Sequence, residues 1–237
     1  MDEAADWLKT KLVEREFFAK YNSNIIFLVF IVVFLSNIWC NVDHGTLPGG
    51  AGQIKQSLGL NDFKFGILGS VVYGGMTLGS AVASATFQKA FLIKPTLYIV
   101  VIMNSGCLFL FTISSNFYVC AFLRFMIGFW QVFVAIFMPV WVDMFAHESQ
   151  KSAWLTFLIL ASPLGIVLGY SLTSVMTQVR NWRWSFYVQA LGLLPCALAL
   201  ILLPRRFVDV ESASKVKSRC VQRVERKLTK TIKLLDK

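Results

Sequence analysis

Arg124 is the residue whose position most needs explaining. It stands inside the otherwise apolar stretch from Tyr118 to Val140, and a guanidinium carried into hydrocarbon costs at least about 2.5 kcal/mol near the bilayer centre. Asp43, near the end of an earlier apolar stretch, is a carboxylate at a compatible depth. An arginine that holds such a carboxylate ionised, and releases it when helices shift, could couple the movement of an anion or a proton. The competing reading is an arginine that snorkels to the outer headgroups.

Polar neighbours extend the pattern. Arg124, Gly128 and Gln131 follow i, i+4, i+7 and share one helix face, which adds an amide deeper in the stretch. On the first stretch, Asn37, Asn41 and His44 form one stripe, and Ser36, Cys40 and Asp43 form the next. A polar arc that wide belongs against water or a solute, although each amide alone could be glue between helices. The expected substrate or coupling set is therefore Asp43, Arg124, Gln131, Asn37, Asn41 and His44, with Arg124 facing a central cavity. Enzymatic catalysis is not expected. His44 and His147 fall on opposite sides, and paired carboxylates, metal-spaced cysteines, a nucleophile elbow and a phosphate-cradling loop are all missing, so neither a metal nor a cofactor is expected. His147 and Glu148 read as solvated charges.

Six apolar stretches must position these groups: Asn24 to Asp43, Phe65 to Phe87, Thr96 to Ile113, Tyr118 to Val140, Ala153 to Met176 and Ser185 to Leu203. Each approaches the twenty or so residues that cross about 30 Å of hydrocarbon as a helix. A composition of 56% hydrophobic residues, with 21 phenylalanines in 237, agrees with an all-α integral, multi-pass membrane protein. An even number of crossings puts both termini on one side. Basic residues mark that side as cytoplasmic: Lys9, Lys11, Arg15 and Lys20 precede the first stretch, Lys89, Lys94 and Lys151 lie in two alternate loops, and eleven follow Leu203. The opposite loops hold Lys55, Lys64, Arg180 and Arg183, and Asn41 to Lys64 is expected to be the longest outer loop. Plasma membrane and endolysosomal membrane are equally compatible with this reading.

The net charge of +10 does not imply nucleic acid, because eleven of the 23 basic residues sit in 205–237. A basic tail of that kind, with Val221, Val224, Leu228 and Leu235 interleaved, suits anionic lipid headgroups as a partner. Residues 1–23 read as a cytoplasmic amphipathic segment carrying Trp7, Leu8, Leu12, Phe17, Phe18 and Tyr21, and 24–204 as the six-helix transmembrane domain. Gly75 with Gly79, and Gly165 with Gly169, are small-xxx-small pairs that predict close helix packing. Pro139 and Pro163 should bend or loosen their helices. Trp141, Trp154, Trp182 and Trp184 read as interfacial anchors, and the five cysteines indicate no disulfide framework.

The chain resembles the N-terminal six-helix half of a major facilitator superfamily transporter, and most nearly the spinster-like branch. After the first stretch, Asn41-Val42-Asp43-His44 is followed by Leu47-Pro48 and the amphipathic Ile54 to Leu60. The fourth-stretch Arg-x-x-x-Gly-x-x-Glu pattern is similar to Arg124 to Gln131, followed by Pro139. Pro163, Gly165, Gly169 and Tyr170 match the fifth-stretch pattern, and Trp182 to Trp184 match a Trp-x-Trp before the sixth. The resemblance implies a three-plus-three helical repeat whose first, second, fourth and fifth helices line a cavity. It also implies transport of a small organic or amphipathic solute, with proton coupling as an option, and makes 205–237 similar to the linker between halves.

Departures qualify that implication. The family's charged latch after Gly79 is reduced to Ala83 and Ser84 with Lys89 and Lys94, the arginine after the aspartate is His44, and the fourth-stretch glutamate is Gln131. One half alone is expected to need a second six-helix half or a second copy to form a solute path. A non-transporting membrane adaptor, a pseudo-transporter that binds lipid or partner proteins, is the alternative.

Overall fold

A computed structural model describes residues 2–88 and 90–235, with side chains for 7–88 and 93–230. Lys89, Asp236, Lys237 and the side chain of Leu235 lie outside the described residues. Helix α1 spans Asp2–Phe18, α2 Ser23–Gly49, α3 Ala51–Leu58, α4 Asp62–Phe87, α5 Ala90–Ile113, α6 Phe117–Phe145, α7 Glu148–Val179, α8 Arg183–Leu202 and α9 Val210–Leu235, with a 3-10 turn at Arg205–Phe207. Among the described residues, six helices (α2 and α4 to α8) are long and apolar enough to cross a bilayer, with window mean hydropathy from 1.4 to 2.5.

Asparagines start three of these spans. Asn22, Asn61 and Asn116 each accept a backbone N–H of the first turn at 2.9 Å, which satisfies a donor the helix itself leaves open. The segment expected to be a long outer loop is mostly helical instead. α2 continues past Asp43 to Gly49 with Pro48 in its last turn, α3 follows at once, and the left-handed Gly59 (φ 61°) closes it before α4. Pro139 and Pro163 both lie within continuous helices.

The packing has an internal symmetry. α2 lies chiefly on α7, α4 on α6 and α5 on α8. Exchanging the first three spans for the last three turns the α2–α7 pair into the α6–α4 pair and returns α5–α8 to itself, as a three-plus-three repeat requires. The two equivalent pairs are joined the same way. A Cβ on Gly45 or Gly169 would come within 1.9 Å of the carbonyl oxygens of Ile166 and Val42 across the α2–α7 contact, and one on Gly165 within 2.5 Å of that of Ile38. Across α4–α6, a Cβ on Gly75 or Gly128 would lie 2.0 Å from the carbonyl oxygens of Phe125 and Val72, and one on Gly79 2.6 Å from that of Phe129. Lipid supplies no hydrophobic drive between helices, so such backbone contacts are how the pairs hold.

Of the four tryptophans expected at the interface, only Trp184 is exposed, and Trp154 is partly buried and stacked on Phe30 at 4.4 Å. Trp141 and Trp182 are core residues, because each indole N–H has an internal acceptor: the Phe207 carbonyl at 2.8 Å and Ser57 Oγ at 2.8 Å.

At the end of the bundle that carries both termini, α1 packs on α9 through Val13, Cys220 and Val224, flanked by Lys9–Glu225 (2.7 Å) and Lys227–Glu16 (2.5 Å). Val221, Val224 and Leu228 of the α9 apolar stripe are thus taken up by the contact with α1. Phe17 and Tyr21 are buried, whereas Trp7 and Leu8 are exposed.

His147 and Glu148 are not freely solvated. Glu14 Oε1 lies 2.9 Å from His147 Nδ1 and accepts the Glu148 backbone N–H at 3.1 Å, so α1 caps the N-terminus of α7, whose own His147 makes no side-chain cap. Burial pushes the Glu14 carboxyl up, but hydrogen bonds from His147, Glu148 and Lys11 outweigh it and hold the group below the ordinary 4.5. A depressed carboxyl stabilises the fold above its unfolded value, and that contribution drains away as pH falls through the folded one. Glu14→Gln should therefore cost about 0.5–2 kcal/mol near neutral pH and flatten the acid limb below pH 4.5. Protease release of the N-terminal helix as a function of pH measures this; an unchanged acid limb would count against the cap.

Candidate functional site

α2, α4, α6 and α7 meet around the polar residues of the first and fourth spans, with α5 behind them. Arg124 Nη1 lies 2.7 Å from Asp43 Oδ2, tying α6 to α2. Its Nε donates to the Leu68 carbonyl of α4 at 3.3 Å, and the guanidinium lies 6.0 Å from the Phe111 ring of α5. Side-chain exposure is 1% for Arg124 and 0% for Asp43, so the arginine neither snorkels nor opens onto a cavity. The expected pairing is present and the expected cavity-facing orientation is not. Two charges taken out of water hold only with good geometry and further hydrogen bonds, and Leu68 and Phe111 complete that shell. Asp43 Oδ1 is buried with no partner among the described residues.

In front of the pair runs a row of amides. Asn41 Nδ2 donates to the Asn37 carbonyl at 2.8 Å and to Asn37 Oδ1 at 3.0 Å. Asn37 Nδ2 reaches the Leu158 carbonyl of α7 at 3.4 Å. Asn41 Oδ1 accepts from Ser162 Oγ at 3.0 Å and from Gln131 Nε2 at 3.4 Å. Gln131 Nε2 also lies 3.1 Å from His44 Nε2, and the imidazole stacks on Tyr73 of α4 at 5.6 Å. His44 is partly buried and Tyr73 is exposed, so the row opens outward at that end.

All six expected site residues thus gather in one place, in two layers: the sealed pair, and the amides with His44. Sequence reasoning missed Ser162 and Tyr73. Ser162 was within reach, since it shares a stripe with Gly165 and Gly169 on α7; nothing in the local sequence singles out Tyr73. A second polar seam was also missed, where Gln189 Nε2 donates to the Trp39 carbonyl at 3.0 Å and Ser105 Oγ to the Ala190 carbonyl at 2.8 Å. Among the described residues no group of three or more His, Cys, Asp or Glu is arranged to hold a metal ion.

A family model for the Major Facilitator Superfamily matches residues 20–235. Among curated proteins, the chain is 29% identical over 153 residues to the "Probable sphingolipid transporter spinster homolog 1" of Arabidopsis thaliana, covering 63% of this chain and 30% of that protein. It is 29% identical over 165 residues to spinster homolog 2 of the same plant, covering 68% and 33%. The "Putative metabolite transport protein YwtG" of Bacillus subtilis (strain 168) matches at 23% identity, over 71% of this chain and 39% of that protein. The chain therefore spans about a third of the length of the curated relatives it matches. Among solved structures, the proton:xylose symporter XylE bound to 6-bromo-6-deoxy-D-glucose superposes with a TM-score of 0.72 at 15% identity, over 88% of this chain and 54% of that one.

Proposed function

Because the chain belongs to the major facilitator superfamily, we propose that its six spans form one wall of a facilitator-type path for a small organic or amphipathic solute. The single observation that carries this reading is the buried Asp43–Arg124 pair backed onto an amide row shared by α2, α6 and α7. Polar groups this costly inside a membrane are kept where they meet a solute, an ion or another helix that moves. The pair ties α2 to α6, and a solute anion that displaces Asp43, or a proton placed on it, frees the two helices to shift. Asn37, Asn41, Gln131 and His44 supply hydrogen bonds toward the solute.

A sphingolipid-type cargo is favoured by the likeness to the Arabidopsis proteins named as probable sphingolipid transporters. Both termini lie in the cytoplasm in this reading, since the lysines and arginines cluster at that end. A second six-helix half, or a second copy of the chain, supplies the opposite wall.

The test is flux of a fluorescent sphingoid base into vesicles that hold the purified chain, with cross-linking to report its assembly. Flux that falls at least tenfold in the paired variant Asp43→Asn with Arg124→Gln, while insertion stays normal, supports the reading. Flux in that variant equal to wild type at every pH would remove the pair from the mechanism, and no solute movement in any assembly would favour an adaptor.

A further inference from the structure

Hydrogen-bond polarity along the amide row can be traced from a group that has only one option. The Asn37 backbone carbonyl can only accept, and it lies 2.8 Å from one end of the Asn41 amide, which makes that end the nitrogen. Asn41 Oδ1 therefore points the other way, where it accepts from Ser162 and Gln131. Gln131 must then present its NH₂ to Asn41, and the same nitrogen sits 3.1 Å from His44 Nε2. Where two nitrogens meet, one must accept. With Gln131 committed as donor, His44 Nε2 holds a lone pair and the imidazole proton is on Nδ1.

Adding a proton reverses that contact. An Nε2–H facing an NH₂ is repulsive, and turning the Gln131 amide half a revolution brings Oε1 against it. Gln131 Oε1 is buried and has no partner among the described residues, so the turn also gives it one. The same turn sets Oε1 against Asn41 Oδ1, two acceptors with no proton between them, and the Asn41–Gln131 link between α2 and α6 is lost.

We propose that His44 is the proton-sensing residue of this site, and that one proton taken up at Nε2 turns the Gln131 amide and moves its α2 partner from Asn41 to His44, which repositions α2 against α6 in the amide layer. The proposal rests on the reading that this face borders a solute path. Accessibility distinguishes His44 from the aspartate beside it: His44 is only partly buried against the exposed Tyr73, whereas Asp43 is fully enclosed. Among the described residues, the titratable and charged groups at this level of the surrounding elements are Tyr73 on α4, Asp43 on α2, Arg124 on α6 and Tyr170 on α7, whose backbone nitrogen packs at Gly45. Asp43 and Arg124 are engaged with each other at 2.7 Å. Histidine is the side chain whose charge ordinarily changes between about pH 5 and 8, where such a sensor would work.

Imidazole nitrogen spectroscopy of the full chain in lipid nanodiscs tests this without a transport assay. The chain has 2 histidines, so His147→Gln assigns the spectrum. Neutral His44 should show a protonated Nδ1 and a bare Nε2, and both nitrogens should be protonated in acid. Gln131→Leu should abolish the Nδ1–H preference; the wild-type tautomer is informative even if that variant fails to fold. A neutral His44 protonated at Nε2, or one that takes up no proton between about pH 5 and 8, overturns the proposal. A tautomer change on acidification in a chain that moves no solute would uphold the sensor and remove the solute path instead.

Discussion

Replacing Asp43 with Asn is expected to destabilise the bundle by about 3–5 kcal/mol, because it leaves the Arg124 guanidinium buried with no counter-charge. Arg124 is 1% exposed and held on all sides by α2, α4 and α5, so it has no short route to water. Arg124→Gln should do less damage, and less again in acid, since an abandoned carboxylate can take up a proton whereas a guanidinium cannot release one. The double variant should recover most of the loss, because two neutral amides of similar size replace the pair. All five cysteines are buried, so heating the protein with a thiol-reactive dye reports unfolding directly. If Asp43→Asn melts within a degree or two of wild type, the pair does not hold these helices.

A second large effect is expected at a pair of adjacent glycines. Gly75→Ala would place a methyl 2.0 Å from the Phe125 carbonyl oxygen, backbone that cannot rotate aside, so α4 and α6 must separate. Overpacking of that kind costs about 1–3 kcal/mol, and here it also weakens the support for Arg124, since Leu68 lies on α4. Gly74 has open space around its Cβ direction, and Gly74→Ala should be neutral or gain up to about 1 kcal/mol from helix propensity. The same dye assay compares them. Equal behaviour of the two variants would mean that the α4–α6 contact is looser than described.

These two predictions also mark how much could be read beforehand. The number and order of the spans follow from apolar length alone, and the glycine pairs on α4 and α7 announce their contacts by spacing. The course of the chain after Asp43 did not follow. Asn41 and His44 look like residues leaving the membrane, yet each finds a partner on α6 or α7, and which partner waits across the bundle is not written in the local sequence. The tryptophans failed for a related reason. Trp141 and Trp182 go inside because the Phe207 carbonyl and Ser57 happen to meet their indole N–H groups. Pairing Asp43 with Arg124 was legible, since a lone charge in a span needs an opposite one at similar depth; that Phe111 and Leu68 would close around it was not.

The Glu14 carboxylate at the start of α7 makes the first eighteen residues part of the membrane domain in an energetic sense. Trimming them to tidy the amino terminus would strip a span of its only described side-chain acceptor at that end, remove the buried Phe17, and uncover the Cys220 side of α9. Affinity tags and fluorescent fusions therefore belong ahead of Trp7, which is exposed together with Leu8, and shortened versions that begin at the first span should be judged on heat tolerance before any loss of activity is assigned to the transport path.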